Sequence, residues 1–213
     1  VYRLGSGTAL PGNMALGATG DVNNAKIAGE IIGSELSSLG INTNLAPVVD
    51  VNNNPSNPVI GLRSYGDDAE MVGKMASAEI EGLAEYNVIG CAKHFPGHGD
   101  VATDSHYGLP IVNKSKEELL NNELKPYQVA INQGIEMIMS AHILYPQLDN
   151  TTVYSEKTKQ QEKLPSTLSH KIITDLLKNE LGFNGVVVTD AMNMAGIAKT
   201  YDQVQATKLA INA

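Results

Sequence analysis

Four near-continuous apolar runs, "NLAPVVDV", "VIGCAKH", "IEMIMSAH" and "GVVVTDAM", recur along this chain with an amphipathic stretch between one and the next. A strand with one wet face alternates polar and apolar residues. A strand without alternation is buried on both faces, and a parallel sheet covered by helices meets that condition. The sheet is either open and doubly wound or closed into a barrel. Asp50, Lys93 with His94, His142 and Asp190 each fall at the C-terminal end of a predicted strand. A (β/α)8 barrel keeps its chemistry at those ends, whereas an open sheet gathers ligands at one switch point. About four strands are visible where a closed barrel has eight. The expected fold is therefore α/β, a (β/α)8 TIM barrel present as a partial barrel, with residues 1–213 as the central part of one catalytic domain. With open edges and half a core, this stretch alone is expected to be insoluble or inactive.

The helical stretches carry their own punctuation. Asp21 is placed to cap a helix with Ile27, Ile31, Ile32, Leu36 and Leu39 on one side, stopped by Gly40. A second runs from about Asp67 to Tyr86, with Val72, Met75, Ala76, Ile80 and Leu83 at helical spacing. Ser115 and Glu118 form a capping box for a third, which carries Leu120, Leu124, Tyr127 and Ile131, kinks at Pro126 and closes at Gly134. The stretch from about Tyr145 to Thr167 reads as a polar loop. Ser169 then caps a helix with Ile172, Ile173, Leu176 and Leu177, ended by Gly182, and "DQVQATKLAINA" begins another.

Composition narrows the partners. A formal net charge of −8 disfavours nucleic acid, which needs Lys and Arg in surplus on one face. A neutral or weakly charged small molecule or oligosaccharide fits better. No apolar run approaches the ~18 residues that cross a bilayer, so no membrane span is expected in this segment. The chain opens at "VYRLGSG" without an initiator Met or a visible signal, as the inside of a longer protein would. Its single cysteine, Cys91, lies in "VIGCA" and reads as a small buried hydrophobe rather than a nucleophile.

Two places carry candidate chemistry. Asp190 follows three consecutive valines, and a carboxylate at the end of a buried strand is costly unless hydrogen-bonded or employed. It is a candidate nucleophile, general base or metal ligand, with a helix N-cap as the plainer alternative. The segment "KHFPGHGDVATDSH" directs Lys93 and His94 into the mouth of the sheet, then turns through "FPGHGD", whose glycines permit left-handed backbone and close approach. Asp104 and His106, two apart, emerge on one side of an extended segment. A carboxylate beside an imidazole fixes its tautomer and raises its basicity, which makes a proton shuttle near neutral pH. The other reading is a loop tied down by its own polar side chains.

Metal and cofactor signals are weak. His94 and His98 are four apart, but Pro96, Gly97 and Gly99 forbid the helix that would stack them, and no metal is expected. "LGSGTALPG" lacks the full dinucleotide pattern, and no cofactor is expected. Arg63 is either a fork for substrate oxygens or a surface partner of Asp67 or Asp68, and Arg3 is similarly open.

Taken together, "NLAPVVDVNNNPSNPVIGLRSYGDD", "AKHFPGHGDVATDSHYGLP", "IMSAHI", "LPSTLSHKIITDLLKNELGF" and "VVVTDAMNM" resemble glycoside hydrolase family 3 in its β-N-acetylglucosaminidase branch, Gram-positive bacterial type, over nearly the whole chain. The resemblance implies a retaining exo-β-N-acetylglucosaminidase acting on peptidoglycan fragments or chitooligosaccharides. It implies Asp190 as nucleophile, His106 held by Asp104 as general acid and base, and Lys93, His94, Arg63 and Arg3 as contacts to the sugar's hydroxyl or acetamido groups. The family's β-glucosidases instead take a glutamate from a second domain and lack the "GHG...DSH" loop. It also implies a barrel whose first and last strands lie outside residues 1–213. An imidazole that is neutral when deprotonated would admit phosphate as acceptor, so a phosphorylase is the alternative outcome. Further alternatives are a non-catalytic sugar-binding remnant and a metal-dependent hydrolase using His94, His98 and Asp190. The expected location is extracellular or at the cell surface, with the cytoplasm as the alternative.

Overall fold

The computed structural model describes residues 4, 6–101 and 109–213. Its strands are β1 (Thr43–Asn44), β2 (Ile89–Phe95), β3 (Met137–Ser140), β4 (Thr152–Tyr154), β5 (Gln161–Lys163) and β6 (Val186–Thr189). Strands β1, β2, β3 and β6 lie side by side in that order, every pair parallel, and β4 with β5 forms a separate antiparallel hairpin. Parallel neighbours in chain order with helices between them are the repeating unit of a (β/α)8 barrel, so the expected partial barrel is what the chain adopts. At one edge, Val186 of β6 is 58% exposed.

The first apolar run is less regular than expected. Only Thr43–Asn44 forms a ladder of strand type, because Pro47 has no N–H to give to β2. The extended chain nevertheless stays paired: Cys91 N–H donates to Ala46 O (2.7 Å) and Val49 N–H to Lys93 O (2.8 Å). In β2 the register skips one residue between Lys93 and Phe95. The extra residue is His94, and such a bulge re-aims the side chain it displaces.

The helices are α1 (Asn13–Gly17), α2 (Val22–Ser38), α3 (Ala69–Ala84), α4 (Lys116–Asn121), α5 (Lys125–Asn132), a π-helix (Lys171–Glu180), α6 (Ala195–Ala198) and α7 (Gln203–Asn212). Asp21 caps α2 as expected, by accepting from Asn23 N–H. The buried face of α2 differs from the expected one. Ile27 and Leu39 are 43% and 61% exposed, while Ala25, Ala28, Gly29, Gly33 and Leu36 are buried. The cause is a close seam with α3: a Cβ on Gly29 would stand 2.2 Å from Glu79 O, and one on Gly82 would stand 2.3 Å from Lys26 O. Backbone contact at that distance selects small residues, which hydrophobic periodicity overlooks.

The third helix is broken rather than kinked. The Ser115–Glu118 capping box forms, but α4 ends at Asn121 and α5 restarts with Pro126 in its first turn. Proline cannot supply the N–H that a continuous helix needs there and is well tolerated in a first turn. Leu119 takes the buried place expected of Leu120, which faces out. The stretch read as a polar loop contains the β4–β5 hairpin. The core lies between the sheet and its covering helices, with Met75, Ala92, Ile138, Tyr127, Leu177 and Phe183 all buried. No helix among the described residues is long and apolar enough to cross a membrane.

Candidate active site

The C-terminal ends of the parallel strands converge as a polar mouth above this core. From the β1 side comes Asp50, whose side chain is fully buried. Its Oδ1 accepts from the backbone N–H of His94 (3.1 Å) and of His98 (2.7 Å), and its Oδ2 lies 2.7 Å from His94 Nδ1. Burial alone would raise its pKa. The His94 imidazole, its hydrogen bond and the neighbouring His98 outweigh that and hold the carboxyl below the ordinary carboxylate value. A carboxylate can only accept, so His94 Nδ1 carries the hydrogen. Nε2 is then left facing Arg63 Nη2 at 3.5 Å.

Arg63 ends a 3-10 turn, Gly61–Arg63, and also donates to Val59 O (3.1 Å). Among the described residues it makes no ion pair with Asp67 or Asp68. Lys93 stands beside it, half-buried. Desolvation and the Arg63 charge lower its pKa, opposed in part by Asp190 and Asp50. Asp190 sits one residue past β6, half-buried, and its Oδ1 accepts from Ala191 N–H at 2.7 Å. The fold thus brings together Lys93 and His94 at the end of β2, Asp190 at the end of β6 and Arg63 from the 3-10 turn. Arg3, Asp104 and His106, the other sequence-derived candidates, lie outside the described residues.

The "FPGHGD" turn is built as its glycines require. Gly97 has φ +143, and a Cβ on Gly99 would stand 1.7 Å from Val51 O. Buried Asn57 ties the turn down by donating to His98 O (2.7 Å) and Gly99 O (3.0 Å), and the Tyr145 hydroxyl donates to Gly97 O. Past the turn, Lys114 pairs with Asp100 (3.0 Å) and with buried Glu123, which also accepts from Asn53 Nδ2 (2.8 Å). The break between α4 and α5 is what turns Glu123 inward. Asp50 and His142 had a signal, their place at strand ends. Asn57 and Glu123 had none, because His98 and Gly99, which Asn57 holds, and Asn53, which Glu123 meets, are remote in sequence.

His94 and His98 stack edge-on with ring centroids 5.9 Å apart, and no group of three His, Cys, Asp or Glu converges as a metal site among the described residues. Both His94 nitrogens are directed at Asp50 and Arg63. Cys91 is fully buried and burial pushes its thiol up to about 12, which keeps it a protonated core residue.

A family model described as the glycosyl hydrolase family 3 N terminal domain matches residues 1–213. Beta-hexosaminidase A of Pseudoalteromonas piscicida is 44% identical over 211 residues, covering 97% of this chain and 35% of its own length. A beta-N-acetylglucosaminidase/beta-glucosidase of Cellulomonas fimi is 35% identical over 210 residues, with 97% and 36% covered. Among solved structures, a glycoside hydrolase family 3 beta-N-acetylglucosaminidase from Paenibacillus sp. str. FPU-7 superposes with a TM-score of 0.89 at 47% identity, over 96% of this chain and 37% of the other. The chain spans about a third of the length of these relatives.

Proposed function

The chain belongs to glycosyl hydrolase family 3, and from that premise we propose that it carries the catalytic centre of a retaining exo-β-N-acetylglucosaminidase. The observation behind this reading is the half-buried Asp190 carboxylate at the end of β6, with one oxygen on Ala191 N–H and the Lys93 ammonium close enough to interact electrostatically. A carboxylate so placed can attack an anomeric carbon. His106, steadied by Asp104, gives its proton to the departing oxygen, and a covalent glycosyl-enzyme forms with inversion. His106 then takes a proton from water, whose attack inverts the centre again, so configuration is retained overall. Arg63, Lys93, His94 and Arg3 hold the sugar's oxygens.

Within the same proposal, the substrates are chitooligosaccharides or peptidoglycan fragments ending in β-linked N-acetylglucosamine. The enzyme is of the Gram-positive type and works outside the cell or at its surface. The Paenibacillus beta-N-acetylglucosaminidase match at 47% identity supports N-acetylglucosamine as the sugar.

The test uses the full-length protein and p-nitrophenyl β-N-acetylglucosaminide. Asp190→Ala should lose about 10⁴-fold or more in kcat. His106→Ala should be hurt mainly in deglycosylation on this activated substrate. Near-wild-type turnover in Asp190→Ala would end the nucleophile assignment. Turnover that survives a strong chelator removes the metal-dependent reading, and formation of a sugar 1-phosphate in phosphate buffer would replace hydrolysis by phosphorolysis.

A further inference from the structure

We propose that His142 is a positioning residue for the nucleophile: its Nε2–H holds the Ala191 carbonyl, which keeps Ala191 N–H on one oxygen of Asp190 and leaves the other oxygen to attack. The inference rests on Asp190 being the nucleophile.

His142 lies two residues past β3, only 1% exposed, and takes no part in the sugar contacts or the acid–base pair described above. Its Nε2 is 3.1 Å from Ala191 O, and a carbonyl can only accept, so Nε2 carries the hydrogen. Its Nδ1 is 2.9 Å from Thr167 Oγ1. Burial lowers the pKa of this imidazole, against the opposing pull of Ala191 O and Asp190, so the ring is held neutral and Nδ1 accepts. The Thr167 hydroxyl, which donates to Ala141 O (2.7 Å) beside Ser166 Oγ–H (2.6 Å) and Thr167 N–H (3.2 Å), shares its one hydrogen between that carbonyl and Nδ1. Ser140 Oγ donates to Thr167 Oγ1 (3.2 Å) and completes the chain. With both ring nitrogens occupied, His142 moves no proton in the reaction.

What it does control is the residue after the nucleophile. Asp190 is anchored through its own N–H to Ser140 O (3.1 Å), but its carboxylate depends on Ala191 N–H. Ala191 has no long side chain to brace it and is exposed. Its carbonyl is gripped from two sides, by His142 and by Met194 N–H (3.0 Å) in the turn that leads into α6. Losing His142 leaves only the local turn, and Ala191 N–H is then free to drift from the carboxylate. A reacting atom misplaced by about 1 Å can cost on the order of 10²-fold.

Full-length His142→Leu, which fills the space without a donor, and His142→Gln, whose amide can donate to Ala191 O, make the test. His142→Leu should lose about 10- to 100-fold in kcat with KM within about threefold. The loss should fall on kcat, because the residues proposed to hold the sugar are untouched. His142→Gln should recover most of the rate. Thr167→Val should fall in the same direction by less and add little in the His142→Leu background.

A histidine that merely fills the core needs no donor, so His142→Gln would do no better than His142→Leu. The inference is overturned if His142→Leu turns over within twofold of wild type, or if its rate falls and His142→Gln is no better. Should His142→Leu fail to fold, the kcat and KM of His142→Gln and Thr167→Val decide in its place. An inactive Asp190→Ala beside a normal His142→Leu sinks only this inference, whereas an active Asp190→Ala removes the nucleophile reading as well.

Discussion

Replacing Asp50 with asparagine changes one atom in the most enclosed part of the site. The carboxylate takes three hydrogen bonds, from His94 N–H, His98 N–H and His94 Nδ1–H. Bonds to a charged acceptor contribute about 1.5–3 kcal/mol each and neutral ones about 0.5–1.5, so neutralising the acceptor costs on the order of 1 kcal/mol per bond. The asparagine Nδ2 also meets His94 Nδ1 as a donor, which forces the ring to the other tautomer and sets its Nε2–H against the Arg63 guanidinium. About 3 kcal/mol of stability should be lost near pH 7, read as a lower midpoint in urea with an unchanged slope. The pH dependence has a definite sign. A folded pKa below the unfolded one, about 3.9, contributes stability that is complete above that value and is lost as pH falls through the folded pKa. The gap between wild type and Asp50→Asn should therefore be flat from pH 7 to 5 and close below about pH 4. A gap under about 0.5 kcal/mol at pH 7, below the value of a single such bond, would refute the network as drawn.

Other regions of the fold make separate predictions. Glu79 is buried, and its pKa is raised by burial against the opposing Tyr65 hydrogen bond, so its contribution is present when protonated and lost as pH rises through the folded pKa. Glu79→Gln should accordingly gain in Tm relative to wild type between pH 4 and pH 8; a constant difference would contradict this. Gly82→Ala drives a Cβ to 2.3 Å from Lys26 O and 2.6 Å from Glu30 N and should cost about 1–3 kcal/mol or more by denaturant titration. With its thiol at about 12 and fully buried, Cys91 should resist alkylation at pH 8 until denaturant is added, and fast labelling of the native protein would show the strand to be open.

Local pattern made much of this protein legible. A strand buried on both faces must be apolar throughout, so the runs leading to Asp50, Lys93–His94, His142 and Asp190 announced a parallel sheet and placed its polar mouth. The Ser115–Glu118 box and the Asp21 cap are local hydrogen bonds and were equally readable. Tertiary structure decided the rest, through contacts that link residues far apart in the chain. The seam of α2 on α3 admits only small side chains, so its buried face is Ala25, Ala28 and Gly29 rather than the isoleucines. The break before Pro126 turns Glu123 toward Lys114 and Asn53, and the bulge at His94 aims its ring at Asp50, 44 residues earlier. Periodicity reports which faces prefer to leave water; it does not report how closely two backbones approach or which buried polar atoms find each other, since both depend on neighbours that only the folded chain supplies.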